Sequence, residues 1–292
     1  MSIIIHLSNF FNLMFKSMLS LIKIFVLSDF FAIRFTKDDN HKQSVIILGN
    51  GPSLSKDLKK VKNINNFDLF AVNHFADHNL FTSLKPSYYC INAPELFLDE
   101  SNVELADRRD MLFSNLSSKT NWDMTLFVVN SAKKYYRWQD MLSVNNKIKI
   151  IYYNNTPIDG FNFFKFFMWR NNIGLPAPHN VLIPSIIQSI NLSYKKIFLL
   201  GVDHSWLNEI VVSDENIVLL NQKHFYDKFN SMHKPMTKDL NNSRKLHEVL
   251  HKFYYTFRGY HEIEKFSINY YVSVYNLTTG SYIDAFKRVE SC

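Results

Sequence analysis

The chain has 292 residues, and a hydrophobic fraction of 47% gives it enough apolar side chains for a sizeable core. Its net charge of +7 comes without a dense lysine–arginine block or a recognisable DNA- or RNA-binding motif, so the expected partner is an anionic membrane surface or a phosphate-bearing substrate and no nucleic acid. Its two cysteines, Cys90 and Cys292, exclude a disulfide framework and a cysteine-based metal site.

Residues 1–36 are predicted to form an amphipathic helix that associates with a membrane. Its polar residues recur at steps of three or four, at Asn9, Asn12, Lys16, Ser20 and Lys23. A helix that spanned the bilayer would strand Lys16, Lys23 and Asp29 in lipid, so we expect an interfacial helix with its lysines at the headgroups. The alternative is a helix packed on the protein's own core. Residues 37–44 are interpreted as a linker.

From residue 45 to residue 292, stretches typical of buried strands alternate with stretches typical of helices. The predicted strands are Val45–Leu48, Phe67–Phe75, a segment of Pro86–Phe97 that ends near Asn92, Met124–Asn130, Lys147–Asn154, Lys195–Trp206 and Tyr270–Thr278. Helical patterns cover about 181–192 and 242–268. This alternation predicts a single α/β domain with a Rossmann-like, mostly parallel sheet flanked by helices. Residues 207–241 lack clean periodicity and are interpreted as a lid over the sheet edge.

Polar residues follow several predicted strands at the point where each strand ends. In an open parallel sheet, ligands bind beyond the carboxyl ends of the strands, so these residues would face one crevice lined by amides and hydroxyls. The candidates selected by this placement are Asn50, Ser53, Asn73, Asn92, Asp203, His204 and Ser205.

The segment Gly49–Ser53 places two of the chain's seven glycines within three residues, directly after the first strand. Because Gly49 and Gly51 lack a Cβ, their backbone can take a positive φ and let a ligand approach closely. Pro52 suits the first turn of a following helix, and Ser53 could cap that turn, leaving free N–H groups to face a phosphate. The loop matches neither the Walker A motif nor G-x-G-x-x-G, so phosphate binding and a plain strand–helix turn both stay open.

Five segments between about Val45 and Phe286 resemble, in order, those of the bacterial sialyltransferases of glycosyltransferase family 42. The first, "IILGNGPSL", resembles the Gly-Asn-Gly-Pro-Ser-Leu that this family carries after its first strand. The others are "FAVNHF", "CINAPELF", "YKKIFLLGVDHSW" and "YNLTTGSYIDAF". Related pterin-pyrophosphokinase-like and flagellin-glycosylating proteins share the Gly-x-Gly-Pro-Ser loop, so the loop alone names no substrate.

The resemblance implies a variant GT-A fold and a CMP-activated nonulosonic acid, or CMP-Kdo, as the sugar donor. By the same resemblance, Asn50, Gly51 and Ser53 would hold the phosphate and ribose of the donor. Asn73 and Asn92 would contact the nucleotide or its phosphate. The resembled family needs no metal and no cofactor, and this chain has no Asp-x-Asp motif.

Two parts of the family's donor site differ here. The Ser–Gly pair that meets the cytidine corresponds to "PAPHNVLIP" in this chain, which makes Asn180 the candidate. Where the family has tyrosines that bind the donor phosphate, this chain has His204, Ser205 and Trp206. Tyr226 is the candidate to take over one tyrosine role.

Glycosyl transfer also needs a base for the acceptor hydroxyl, and histidine is the usual group with a pKa near neutrality. The family places its base between the sixth strand and the long final helix. His247 is the leading candidate because it lies early in that helix, next to Glu248, and His224 is the second. His204 is a third, more naturally as a phosphate contact. His247 and His251 share a helix face, but no third zinc ligand is evident.

Together with these patterns, the resemblance implies an inverting, metal-independent glycosyltransferase that moves a sialic-acid-like sugar from CMP to a hydroxyl of a lipopolysaccharide or capsule glycan. It would lie peripherally on the cytoplasmic face of a bacterial membrane and act on a glycan or glycolipid acceptor, with homo-oligomerisation left open. The alternatives are a CMP-Kdo transferase, a non-catalytic nucleotide-binding protein, and a pterin or nucleotide phosphotransferase. The phosphotransferase would need Mg²⁺-binding carboxylates at strand ends, where Asp203 is the one clear candidate.

Overall fold

The computed structural model describes residues 2–30, 42–99, 103–221, 234–236 and 242–292. Several sequence predictions lie outside the described residues. They are His224 and Tyr226, residues 31–36 of the predicted N-terminal helix, most of the predicted linker at 37–44, and residues 222–233 and 237–241 of the predicted lid.

Strands and helices alternate along most of the described chain. The strands are β1 (Ser44–Leu48), β2 (Asp68–Val72), β3 (Tyr88–Ile91), β4 (Met124–Val129), β5 (Ile148–Tyr153), β6 (Lys196–Leu200), β7 (Ile210–Val212), β8 (Val218–Leu220), β9 (Lys234–Pro235), β10 (Ser273–Asn276) and β11 (Lys287–Arg288). The α-helices are α1 (Ser2–Leu27), α2 (Leu54–Asp57), α3 (Leu80–Leu84), α4 (Val103–Lys119), α5 (Arg137–Ser143), α6 (Asn162–Arg170), α7 (Leu182–Asn191) and α8 (Leu246–Asn269).

One parallel sheet of eight strands forms the centre, in the order β11-β10-β6-β1-β2-β3-β4-β5. Its middle strands are continuous apolar runs, and residues 45–48 of β1 are completely buried. A parallel sheet covered by helices on its faces requires such runs. The predicted α/β class is therefore confirmed, and every predicted strand occurs. The second and sixth strands are shorter than predicted and end at Val72 and Leu200, where turns begin.

Strand β1 stands where the strand order reverses. From β1 the chain continues through β2 to β5 on one side, whereas β6, β10 and β11 lie on the other side. The loops that leave the carboxyl ends of β1 and β6 diverge at this switch point, and such a divergence opens a crevice. Polar residues after Leu48 and Leu200 are thereby brought to one place.

Helices α7 and α8 cover the sheet beside this switch point. Helix α7 is buried along almost its whole length, since it contacts β1 and β2 as well as α8. Helix α8 buries a stripe at steps of three or four residues, and one edge of it faces the switch point. The buried stripe is Val249, Phe253, Thr256, Tyr260, Ile263 and Phe266.

The described part of the predicted lid is a small antiparallel sheet of β7, β8 and β9. It packs on α8, where Val218 and Leu220 of β8 form a second apolar cluster with Val249 and Phe253. The absence of clean periodicity hid this hairpin. Its signal is two β-branched runs, "IVV" and "IVLL", on either side of "SDEN", with Asn216 in a left-handed turn at φ +59°.

Helix α1 lies against the domain through a strip of small side chains. Ser20 Oγ donates to the carbonyl oxygen of Asp159 at 2.8 Å, and Ser17 Oγ accepts a hydrogen bond from the N–H of Phe161 at 3.1 Å. Ser20 and Ile24 are almost completely buried by this contact. The helix is therefore joined to the domain along part of its length.

The rest of α1 exposes large apolar side chains. By length and composition alone, Ile4–Leu27 could cross a bilayer. The exposed side chains are Ile4, Ile5, Leu7, Phe10, Phe11, Met14, Phe15, Met18, Leu19, Leu21, Ile22, Phe25, Val26 and Leu27. The polar stripe of α1 was expected to face the lipid headgroups. Part of it faces the domain instead, because Ser20 is buried there and Lys16 lies 3.4 Å from a carboxylate oxygen of Asp159.

Candidate active site

A cleft of about 1240 Å³ opens at the carboxyl ends of β1, β2, β3 and β6, a volume large enough for a small-molecule substrate. Its walls are the loops after these strands, one edge of α8 and part of the small sheet. Ser53 is absent from its lining. The lining residues that the sequence singled out are Gly49, Asn50, Gly51, Asn73, Asn92, Asn180, Asp203, His204, Ser205 and His247.

The two glycines of the β1–α2 loop are required by the neighbouring loop after β6. A Cβ on Gly51 would overlap the Asp203 carboxylate and lie 2.6 Å from the carbonyl oxygen of Gly201. A Cβ on Gly49 would overlap the Gly201 carbonyl. Neither glycine has a positive φ, whereas Gly201 does, at +65°. The close approach predicted for a ligand is made here by the protein's own backbone.

Polar hydrogens of this loop are already engaged within the protein. The Gly51 N–H donates to the carbonyl oxygen of Gly201 at 2.8 Å. The N–H and hydroxyl of Ser53 both donate to the Asp203 carboxylate, at 3.3 and 2.9 Å. Ser53 forms no side-chain cap on α2, which has only four residues. The free N–H groups on which the phosphate interpretation depends are therefore not available from Gly51 and Ser53.

Asp203 is held as a hydrogen-bond acceptor at the bottom of the cleft. Burial raises the pKa of its carboxyl group, the hydrogen bonds from Ser53 oppose that rise, and the charge of Asp57 adds to it. Its backbone carbonyl accepts from the N–H of Tyr282 at 2.8 Å. A carboxylate fixed in this way can accept hydrogen bonds from ligand hydroxyls, and it repels a phosphate.

Asn50 lines the cleft and has an unsatisfied acceptor. Its Nδ2 donates to the Val72 carbonyl oxygen at 3.1 Å, which fixes the orientation of the amide. Its Oδ1 is buried and has no hydrogen-bond partner among the described residues. A buried acceptor without a partner destabilises the protein by about 1–3 kcal/mol, and a ligand N–H or O–H would remove that deficit once the amide turned toward the cleft.

Asn73 and Asn92 hold the next two strand ends together. The Asn92 amide is bonded at both ends, since Nδ2 donates to Pro178 at 3.2 Å and Oδ1 accepts from the Tyr153 hydroxyl at 2.8 Å. Asn73 turns the chain at φ +45° and accepts from the Asn92 N–H at 3.4 Å. Both residues thus have a structural task in the cleft wall, and their contact with a nucleotide stays a prediction.

Asn180 begins a hydrogen-bond chain that ends at His204. Its Oδ1 accepts from the N–H groups of Leu182 and Ile183 at 2.9 and 3.2 Å, so its Nδ2 donates to the Tyr260 hydroxyl at 2.9 Å. The Tyr260 hydroxyl can then donate its own proton to His204 Nε2, 2.6 Å away. His204 is therefore an acceptor at Nε2 and carries its proton at Nδ1.

His204 is surrounded by aromatic rings. The ring centroids of Trp206 and Tyr260 lie 4.1 and 5.5 Å from its own. Burial lowers the pKa of His204 to about 3, so its imidazole is neutral at physiological pH. A group with so low a pKa is a poor general base near pH 7, but its Nδ1–H can donate a hydrogen bond without a charge. The geometry therefore favours the interpretation of His204 as a ligand contact over the interpretation as a base.

His247 lies in the first turn of α8, exposed and on the cleft wall. The neighbouring Glu248 uses its carboxylate to accept from the backbone N–H of Lys245 at 2.9 Å, which closes the start of the helix. His251 lies one turn further along the same wall, with its ring 4.7 Å from that of Tyr255. The leading candidate base thus has access to a substrate in the cleft.

Four basic side chains gather on the same wall, namely Arg244, Lys252, His179 and His251. Burial, and next the charge of Arg244, lower the pKa of Lys252, whereas Glu95 opposes the change. Burial also lowers the pKa of His179, and Lys252, His251 and Arg244 add to this effect. Arg244 Nε is buried and lacks a hydrogen-bond partner in the described part of the chain. Arg244 and Lys252 are therefore two neighbouring cations of this wall, and Glu95 lines the same cleft.

The segment after β10 supports the loop that carries Asp203. Thr278 Oγ1 accepts from the Val202 N–H at 3.1 Å, and Ser281 Oγ donates to the Val202 carbonyl at 2.8 Å. The buried Asp57 carboxylate accepts from the Thr279 hydroxyl at 2.8 Å. The segment "YNLTTGSYIDAF" therefore positions the floor of the site.

Sequence reasoning missed Arg244, Lys252 and Tyr260. Lys252, Thr256 and Tyr260 follow one another at steps of four, which places them on one face of α8. That spacing was the available signal, although a mixed basic and aromatic face is also typical of helix surfaces. Among the residues that the structure describes, no group of three or more His, Cys, Asp or Glu side chains could hold a metal ion.

No family model and no curated protein matches the chain. Among solved structures, the chain is similar to the MAf glycosyltransferase from Magnetospirillum magneticum AMB-1, with a TM-score of 0.46 and 12% sequence identity. The match covers 89% of this chain and 37% of that chain, so this chain spans well under half the length of the protein it matches. A similarity at this level assigns neither an activity nor a substrate.

Proposed function

We propose that this protein is a glycosyltransferase that moves a sialic-acid-like sugar from a CMP donor to a hydroxyl of a cell-surface glycan. The observation that carries the proposal is the division of the cleft into two chemically different walls. Hydrogen-bond acceptors, Asn50 Oδ1 and the Asp203 carboxylate, stand at the strand tips. Basic side chains lie on the opposite wall, with His247 and Lys252 on α8 and Arg244 just before it. Nucleoside hydroxyl and amino groups suit the first wall, and a reacting hydroxyl beside an anionic leaving group suits the second.

In the proposed reaction, His247 is the general base. Its imidazole takes the proton of the acceptor hydroxyl while the hydroxyl oxygen forms a bond to the anomeric carbon of the donor. The bond from that carbon to the phosphate oxygen breaks, and its electron pair leaves with CMP. Attack from the face opposite the leaving group inverts the anomeric configuration. The neutral Nδ1–H of His204 would donate to the departing group or its sugar.

A screen of CMP-activated sugars tests this proposal. CMP and cytidine should raise the melting temperature without added metal, and a nonulosonic-acid donor or CMP-Kdo should be hydrolysed slowly or transferred to a glycan acceptor. Asn50→Ala should weaken cytidine binding about tenfold, because the variant lacks the Oδ1 atom that would accept a hydrogen bond from the nucleoside. His247→Ala should keep CMP binding and lower kcat by about 10²–10⁴. Turnover of CMP-Kdo alone would select the Kdo alternative.

Other outcomes would contradict the proposal. Nucleotide binding that needs Mg²⁺, together with phosphoryl transfer to a pterin or nucleotide, would favour the phosphotransferase. Binding of CMP with no turnover of any CMP-sugar, and equal behaviour of His247→Ala and the wild type, would favour a non-catalytic nucleotide-binding protein.

We also propose that the enzyme acts at the cytoplasmic face of a bacterial membrane. The exposed apolar side chains of α1 and the net charge of +7 support contact with an anionic lipid surface. An acceptor in lipopolysaccharide or capsule assembly, linked to lipid, would then be presented beside the cleft.

A further inference from the structure

The β1–α2 loop leaves the donor phosphate without an evident partner at the strand tips. The Gly51 N–H and both polar hydrogens of Ser53 are bonded within the protein. The Asp203 carboxylate stands directly against this loop, as the overlap with a Cβ on Gly51 demonstrates. A phosphate placed there would meet a carboxylate, and the two negative charges would repel each other. A phosphate therefore needs a subsite elsewhere in the same cleft.

The wall of α8 offers the opposite chemistry. Lys252 is half-buried and Arg244 partly so, and both line the cleft. Across the described residues, neither side chain forms a salt bridge within 4 Å, and Arg244 Nε is buried without a partner. Glu95, which also lines the cleft, acts on Lys252 by its charge. Two neighbouring cations with reduced access to water still favour the binding of an anion between them.

We infer that Arg244, just before α8, and Lys252, on α8, form the subsite for the phosphate of the nucleotide donor, apart from the glycine loop. The inference rests on the proposed function and gives the donor a direction in the cleft. Cytidine would lie at the strand tips near Asn50 and Asp203. The phosphate would face α8, so that the anomeric carbon comes within reach of His247 on the same wall.

Paired titrations of cytidine and CMP test this placement. In the wild type, CMP should bind more tightly than cytidine, and the ratio should fall as ionic strength rises. Lys252→Gln and Arg244→Gln should each reduce that ratio about tenfold, because each removes a charge-assisted contact, and leave the affinity for cytidine within about twofold. Lys265→Gln is the matched control, since it removes an exposed charge from the same helix outside the cleft, and it should leave the ratio unchanged.

Inorganic phosphate gives a second readout that needs no nucleoside. It should raise the melting temperature of the wild type and of Lys265→Gln, and the shift should disappear in the Arg244→Gln/Lys252→Gln double variant. If the wild type binds neither cytidine nor CMP but this pattern holds, the proposed function fails while the anion subsite stands. An unchanged CMP-to-cytidine ratio in both single variants overturns the assignment to the donor phosphate. An unchanged phosphate shift in the double variant overturns the subsite itself.

Discussion

Position 51 requires glycine because the Asp203 carboxylate and the Gly201 carbonyl leave no space for a Cβ. Replacement by alanine would push a methyl group into the Asp203 carboxylate and the Gly201 carbonyl, and both belong to a loop tied down by Thr278 and Ser281. Overpacking of this kind should lower the free energy of unfolding of Gly51→Ala by about 3 kcal/mol, measured by urea denaturation.

The control for this prediction is Gly280→Ala. Gly280 has a φ of +69° and nothing within 4 Å of an added Cβ, so its replacement adds only backbone strain of about 1 kcal/mol. Equal losses in the two variants would mean that the contact with Asp203 is not what requires glycine at position 51.

His204 makes stability depend on pH in a defined direction. Burial lowers its pKa to about 3 from an ordinary value of 6.5. Between these values the unfolded chain binds a proton that the folded protein does not, so stability falls as pH drops below 6.5. His204→Gln has no imidazole to protonate. The amount by which the wild type exceeds this variant in free energy of unfolding should therefore fall by about 1 kcal/mol from pH 6.5 to 5.5. Parallel stability curves for the two proteins over this range would contradict the buried neutral imidazole.

Among the elements, α8 links the site to the core through Tyr260. Its hydroxyl accepts from Asn180 before α7 and donates to His204 after β6, so one side chain joins three elements. Tyr260→Phe leaves both partners without their bond and should lower the free energy of unfolding by about 1–3 kcal/mol. Tyr254→Phe, at an exposed position of the same helix, should change it by less than about 0.5 kcal/mol. Equal values in chemical denaturation would exclude the hydrogen-bond chain.

The central strands could be predicted because burial on both faces leaves a plain trace in sequence. Val45–Leu48 and Leu126–Val129 are unbroken apolar runs, and runs of this kind between helical patterns have few other interpretations. Strand β11 left no such trace, since Lys287 and Arg288 are exposed and join the sheet only through backbone pairing with β10. Its position depends on the tertiary fold and not on local pattern.

The candidate site was predictable in its location and less so in its bonding. Strand-end placement is enough to bring Asn50, Asn92 and Asp203 to one cleft, because parallel strands end at the same edge. The partners that occupy the Asn92 amide come from residues 153 and 178, far along the chain. No spacing rule reveals such partners, so an asparagine that supports a wall and one that meets a ligand look alike in sequence. In the structure, Asn50 differs from Asn92 in that its side-chain oxygen has no hydrogen-bond partner among the described residues.

At the scale of the whole molecule, α1 packs on the domain along one side and exposes apolar side chains on the other. The hydrogen bonds of Ser17 and Ser20 and the burial of Ile24 hold the helix along its side. Insertion across a bilayer would have to break these contacts, whereas a helix lying in the plane of the interface would keep them. Contact in the plane would also hold the cleft at a fixed orientation to the membrane.

Vesicle binding tests this orientation. Phe15 and Ile22 are seven residues apart, each 60% exposed, and lie on the outer face of α1. Phe15→Glu/Ile22→Glu should weaken binding to vesicles of phosphatidylglycerol and phosphatidylethanolamine at least tenfold in co-sedimentation, since two apolar side chains that would enter the lipid are lost and two negative charges meet an anionic surface. Val144→Glu, at an 81% exposed position outside α1, is the control and should bind like the wild type. Full binding by the double variant would mean that the apolar face of α1 is not the membrane contact, because two carboxylates on a face that enters an anionic lipid surface must lower the affinity.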